Sequence, residues 1–182
     1  LKEIVTTYFS ASNHVLHTIL MRLMMWVFGE ENEIAIRFPS FVAGMACLWM
    51  IYRVALQLFH SPWVARISLL IAAINPVHIL YSQTARGYSL AMFFSITMVY
   101  ATLKLMETRR YWQWGSIISL CGFLSVYTLP TNVYFLFGLA GWIFLALTIS
   151  NPEPGLQAES GKKIFFVFVV VFVGAGLMSF LA

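Results

Sequence analysis

The stretch richest in groups able to do chemistry is Tyr81-Ser82-Gln83-Thr84-Ala85-Arg86-Gly87-Tyr88, with Asn75-Pro76 and His78 just ahead of it. Gln83 and Arg86 are three positions apart, so a helical turn carried through them presents an amide and a guanidinium on one side. An arginine there is a fixed positive fork, matched in shape to a pair of phosphate oxygens. A plainer reading is equally open, in which Arg86 and Tyr88 only mark the boundary between membrane and water. Asn75-Pro76 removes a backbone donor and should kink or end a helix at that point. His78 reads as an interfacial histidine with its hydrogen bonds satisfied.

A second set of polar groups comes earlier. His14 and His17 are three apart, a spacing open to a metal ion, yet only Glu3 lies within easy reach as a further ligand, so no metal site is assigned. His14 is instead a candidate for hydrogen bonding or for facing a phosphate, against the alternative of a plain polar group at a helix start. Glu30, Glu31 and Glu33 read as a solvated loop before Arg37, Pro39 and Ser40, with the proline opening the next helix. The sequence contains no Asp, which leaves Glu and His to supply any general base or metal ligand. Cys47 and Cys121 sit inside apolar runs, where a free thiol packs as a small hydrophobe.

The elements that must position these groups are membrane helices. Hydrophobic residues make up 60% of the 182 and charged residues 10%, with a mean hydropathy of +0.82, whereas a soluble domain carries roughly 25% charge. The 11 Lys and Arg are scattered, never more than two together, which argues against a nucleic-acid groove. A helix needs roughly 20 apolar residues to cross the hydrocarbon core. Long charge-poor stretches predict six spans, near 38–59, 63–83, 87–106, 112–129, 132–150 and 164–182, with Leu129-Pro130-Thr131-Asn132 as a hairpin and Arg53 snorkelling to the interface. The ten or so residues from Pro152 to Gly161 read as a connector.

Residues 14–28 differ in kind, being too short for a span and two-faced. Leu16, Ile19, Leu20, Leu23 and Val27 follow one side, and His14, Thr18 and Arg22 the other. This pattern suits an amphipathic helix lying on the membrane, started at Ser12 or Asn13 and ended at Gly29. Arg53, Arg66, Lys104, Arg109, Arg110, Lys162 and Lys163 collect on one side of the predicted bundle, which the positive-inside rule makes cytoplasmic. Trp63, Trp112 and Trp114 fit an aromatic belt there. The surface helix, residues 81–88 and the 130–132 turn then share the external face. The expected architecture is an all-α, polytopic helix bundle forming a single membrane domain. Because the chain opens on Leu1 and closes on an apolar run, it reads as an internal piece of something longer.

The order Asn13-His14, Phe28-Gly29-Glu30, Glu33-Ile34-Ala35-Ile36-Arg37-Phe38-Pro39-Ser40, Asn75-Pro76 and Tyr81 to Tyr88 resembles the type C glycosyltransferases of the protein O-mannosyltransferase and aminoarabinose transferase group, over roughly residues 12–110. The resemblance implies an integral membrane enzyme, in the cell membrane, that moves a sugar from a polyprenyl-phosphate carrier to a lipid, glycan or protein acceptor on the external face. It implies no resident cofactor, with a divalent metal left open. It also implies a catalytic Asp in an external loop ahead of the surface helix, expected here upstream of Leu1. The family often has His-Pro-Pro where this chain has His14-Val15-Leu16, so only His14 carries over. Arg86, with Gln83 and Tyr88 beside it, matches the family's external motif and is expected to help hold the carrier phosphate. Two rivals stay open on the residues alone. One is a transporter or lipid-carrier flippase, which would favour discontinuous helices and polar groups at mid-membrane. The other is a non-catalytic membrane partner.

Overall fold

The computed structural model describes residues 15–29, 32–108 and 110–149, and every element among them is helical. In chain order these are α1 (Val15–Phe28), α2 (Glu33–Phe59), α3 (Pro62–Ala73), α4 (Pro76–Gln83), α5 (Tyr88–Glu107), α6 (Tyr111–Thr128), a single 3-10 turn (Pro130–Asn132) and α7 (Val133–Ile149). The all-α expectation therefore holds. His14, Arg109, the connector after Pro152 and the predicted span 164–182 lie outside the described residues.

Among the described residues two helices, α2 with 27 residues and α5 with 20, are long and apolar enough to cross a membrane. Helices α3 and α4 form a third such path only when joined, and they are bent by 62° at their break. The predicted spans at 112–129 and 132–150 coincide with α6 and α7, of 18 and 17 residues. Gln113, Ser116, Ser119 and Ser125 dilute the apolarity of α6, and α7 is shorter still.

Local chemistry explains where the helices begin and end. The Asn75 side chain accepts from the backbone N–H of Val77, at 2.9 Å, and of His78, while Pro76 takes the first helical position, where a missing donor does no harm. This is the break anticipated at Asn75-Pro76. Gly29, at φ +95°, ends α1 by giving its N–H to the Met25 carbonyl. The start of α2 departs from expectation. Pro39 was read as opening this helix, but it lies inside it, because the Asn32 side chain caps the N–H groups of Ile34 and Ala35 and starts the helix six residues earlier.

The core runs along α5. Leu90, Phe94, Met98, Ala101 and Leu105 meet Ala43 of α2, Ile118 and Cys121 of α6, and Leu136, Leu139 and Ile143 of α7. From Ala35 to Cys47 the buried face of α2 is made of small residues, Ala35, Ser40, Ala43, Gly44 and Cys47, which lets neighbouring backbones approach closely. At Gly44 the approach is extreme, since a Cβ placed there would stand 2.6 Å from the Ser82 Cβ of α4. The 130–132 turn is clasped to the bundle by Asn132, whose Nδ2 donates to Ser95 Oγ of α5 at 2.9 Å and to Ser125 Oγ of α6.

At the other end of the bundle Arg53 does not simply snorkel. Its guanidinium donates to Tyr100 Oη at 2.6 Å and lies 5.3 Å from the centre of the Trp49 ring and 5.1 Å from that of Tyr100. Facing aromatic rings hold the cation where a lone helix would have released it to the interface. Trp63 and Trp112 are largely exposed at this end, and Arg66 sits over the Trp63 ring.

Helix α1 packs on α2 and α6 through Leu16 and Leu20, whereas Leu23, Trp26, Val27 and Phe28 remain exposed. Its buried residues are Val15 and His17, neither of which belongs to the apolar or the polar stripe read from the sequence. His17 is buried with its ring satisfied by Ser40 of α2.

Candidate functional site

Two predicted site residues meet in one cleft. A cavity of about 480 Å³ is lined by Glu33, Ile36 and Arg37 from the first two turns of α2 and by Gln83, Thr84, Ala85 and Arg86 from the end of α4 and the turn after it. Gln83 and Arg86 do share a side, but not by a continued helical turn. Helix α4 stops at Gln83, Thr84 is extended, and the N–H of Arg86 turns back to the Thr84 carbonyl at 2.8 Å. The sharp turn achieves what the helical spacing predicted.

Tyr88 is not among the residues lining this cleft. It opens α5, and its ring packs on that of Tyr81 with centroids 4.7 Å apart. The two rings thus brace the turn from outside the cleft, each half-exposed or nearly so. His14 lies outside the described residues, so its place at the site rests on the sequence.

Charge in the cleft is net positive, with the guanidiniums of Arg37 and Arg86 against the carboxylate of Glu33. Arg37 donates to Glu33 Oε2 at 3.3 Å, in a pair whose side chains are 56% and 81% exposed. An exposed pair at this helical spacing contributes only about 0.3–0.5 kcal/mol. That is too little to withhold Arg37 from a dianionic ligand. Two arginines and an amide in a small cleft can bind a phosphate, with forked donors on the anion and Gln83 free to donate or accept beside it.

Three residues of the site went unassigned in the sequence. Arg37 follows the glutamates without a role of its own in the sequence, since nothing local ties it to Arg86, 49 positions on. Ser40 and His17 form a buried pair, His17 Nε2 to Ser40 Oγ at 2.8 Å, and Ser40 Oγ also reaches the Arg86 carbonyl at 3.0 Å. Their exposures are 1% and 0%. Only the position of Ser40 on the small-residue face of α2 signalled burial. Among the described residues no cluster of His, Cys, Asp and Glu has the makings of a metal site.

Neither a curated protein nor a solved structure matches the chain. A family model does, over residues 14–177, and so covers α1 through α7 and the cleft. Its description is dolichyl-phosphate-mannose-protein mannosyltransferase, a glycosyltransferase family, in keeping with helices apolar enough to cross a membrane. The chain belongs to the dolichyl-phosphate-mannose-protein mannosyltransferase family.

Proposed function

We propose that this membrane glycosyltransferase takes a sugar from a polyprenyl-phosphate carrier and passes it to a lipid, glycan or protein acceptor on the external face of the cell membrane. The observation that carries the proposal is the cleft that Arg37 of α2 and Arg86 of the turn after α4 line together. In the reaction the acceptor oxygen bonds to the anomeric carbon as the bond from that carbon to the phosphate oxygen breaks. The acceptor's proton leaves to a base, and the departing carrier phosphate keeps the bonding pair.

The phosphodiester of the donor carries one negative charge, and the phosphate leaving it gains a second. Fixed guanidiniums beside that oxygen bind the transition state more strongly than the bound donor, which is the condition for catalysis. Arg86 is the principal phosphate ligand in this reading, Arg37 supports it, and Gln83 hydrogen-bonds the phosphate or the sugar. Tyr88 braces the turn through Tyr81, and His14 is assigned to the same face as α1. No resident cofactor is invoked. A lipid-borne donor accounts for an enzyme made of membrane helices, since the carrier's tail stays in the bilayer. The broken helix α3–α4 is a feature shared with transporters, but the two cleft arginines, Arg37 and Arg86, lie at helix ends rather than at mid-helix.

Arg86→Ala in the full-length protein tests the proposal, with polyprenyl-phosphate mannose as donor and native membranes as acceptor source. Loss of one charge-stabilising donor lowers kcat by about 10²–10³, and Arg86→Lys restores part of it as a point charge without the fork. Membrane insertion is unaffected. Transfer at the wild-type rate by Arg86→Ala removes the phosphate assignment.

A further inference from the structure

Arg86 occupies the short turn between α4 and α5, where its backbone carbonyl is beyond the helical ladder of α4. A side chain from another helix takes it, as Ser40 Oγ donates to it at 3.0 Å. A serine hydroxyl has one proton and a carbonyl has none to offer. With that proton directed at Arg86, the 2.8 Å contact between Ser40 Oγ and His17 Nε2 requires the imidazole to be the donor. The order is therefore His17 Nε2–H to Ser40 Oγ, and Ser40 Oγ–H to the Arg86 carbonyl, with the direction of each bond fixed.

Both side chains are sealed from solvent, so water does not compete for the His17–Ser40 bond, and the hydroxyl that accepts from His17 is polarised to donate more strongly to Arg86. The relay ties three elements together: α1 through His17, α2 through Ser40, and the turn through Arg86. Its last member is the residue whose side chain lines the cleft.

We infer that His17 and Ser40 are positioning residues, a buried hydrogen-bond relay from α1 that holds the backbone of Arg86 so that its guanidinium stays directed at the phosphate cleft. This inference rests on the phosphate role proposed for Arg86 and adds to it the means by which an arginine in a turn is kept in one place. A buried pair serving stability alone would lower the amount of folded protein without altering how the folded fraction meets its donor. A positioning pair changes donor affinity.

The experiment is a double-mutant cycle on the full-length protein in liposomes, with polyprenyl-phosphate mannose as the varied substrate and rates normalised to folded, inserted enzyme. Ser40→Ala raises the donor KM about tenfold, the scale of one hydrogen bond's contribution. His17→Phe, which fills the space without an N–H, does the same, and His17→Gln, which returns an N–H near the Nε2 position, restores the affinity to within about threefold, well inside the loss expected for the bond. In the Arg86→Ala background Ser40→Ala adds nothing further, because it acts through Arg86. Where Ser40→Ala does not accumulate as folded protein, Ser40→Cys replaces it in the cycle. Additive losses, or an unchanged donor KM with Ser40→Ala, overturn the relay while leaving the phosphate role of Arg86 intact. Wild-type transfer by Arg86→Ala defeats the phosphate role and the relay with it.

Discussion

Gly44 is the position at which the smallest change should do the most damage. A methyl group added there would lie 2.6 Å from the Ser82 Cβ, roughly 1 Å inside the ~3.5–4.0 Å at which carbon atoms rest. Ser82 Cβ is bonded directly to the backbone, and its hydroxyl donates to the Ile79 carbonyl at 2.8 Å, so no flexible tip can swing aside. The two helices must separate, and overpacking of this kind costs about 1–3 kcal/mol. Alanine also favours the helix over glycine by about 0.8–1.0 kcal/mol, so the raw loss understates the steric term. Gly141→Ala supplies the correction, because Gly141 is helical too and a Cβ there meets nothing within 4 Å. The expected difference between Gly44→Ala and Gly141→Ala is thus the full ~1–3 kcal/mol of overpacking. Thermal unfolding of the two purified variants in one detergent measures it. Displacing α4 by about 1 Å also carries the cleft's far wall, and misplacement on that scale costs about a hundredfold in rate. Equal melting temperatures and equal transfer for the two variants would refute the close contact of α2 with α4, and with it the cleft between them.

Two further outcomes bear on other parts of the bundle. Asn132→Ala removes donors to Ser95 and Ser125 and lowers stability by about 1–2 kcal/mol, while Thr131→Ala, an exposed neighbour, leaves melting unchanged; equal melting of the two would discard the clasp. For topology, Ala85→Cys in intact cells reacts with a membrane-impermeant maleimide and Gln113→Cys reacts only after permeabilisation, both positions being exposed. The reverse pattern would place the cleft on the cytoplasmic side.

What the sequence discloses here follows from how local each cause is. The breaks at Asn75-Pro76 and at Leu129 to Asn132 were legible because proline and asparagine act on their own few residues, through a missing donor and a side-chain cap. Gly29 was legible for the same reason. The start of α2 was misplaced because two local signals competed, and the Asn32 cap outweighed the proline at 39. Arg86 and Gln83 stood out as polar groups retained in an apolar chain. Arg37, His17 and Ser40 did not, because what gives them a role lies 49, 23 and 46 positions away along the chain. The same holds for Arg53, whose charge alone predicts escape to water, whereas the tyrosine that holds it is on another helix. Charge-free length alone marks six spans, whereas length and apolarity together single out α2, α5 and the joined α3–α4 among the described residues, because α6 lacks charge but not hydroxyls and amides.

The break at Asn75-Pro76 has more than a structural purpose once the cleft is in view. Helix α4 has eight residues and is therefore about 12 Å long. A straight continuation of α3 would carry its far end along the α3 axis, whereas the observed 62° bend swings that end by about the helix's own length, roughly 12 Å. Without it Ser82 could not reach Gly44, nor the Arg86 carbonyl reach Ser40, and Arg86 would not share a cavity with Arg37. The proline and its capping asparagine thus do at the site what the arginines cannot do for themselves, which is to bring a turn from one broken helix over the first turns of another. Small residues on α2 then admit it, and the His17–Ser40 pair fixes it there.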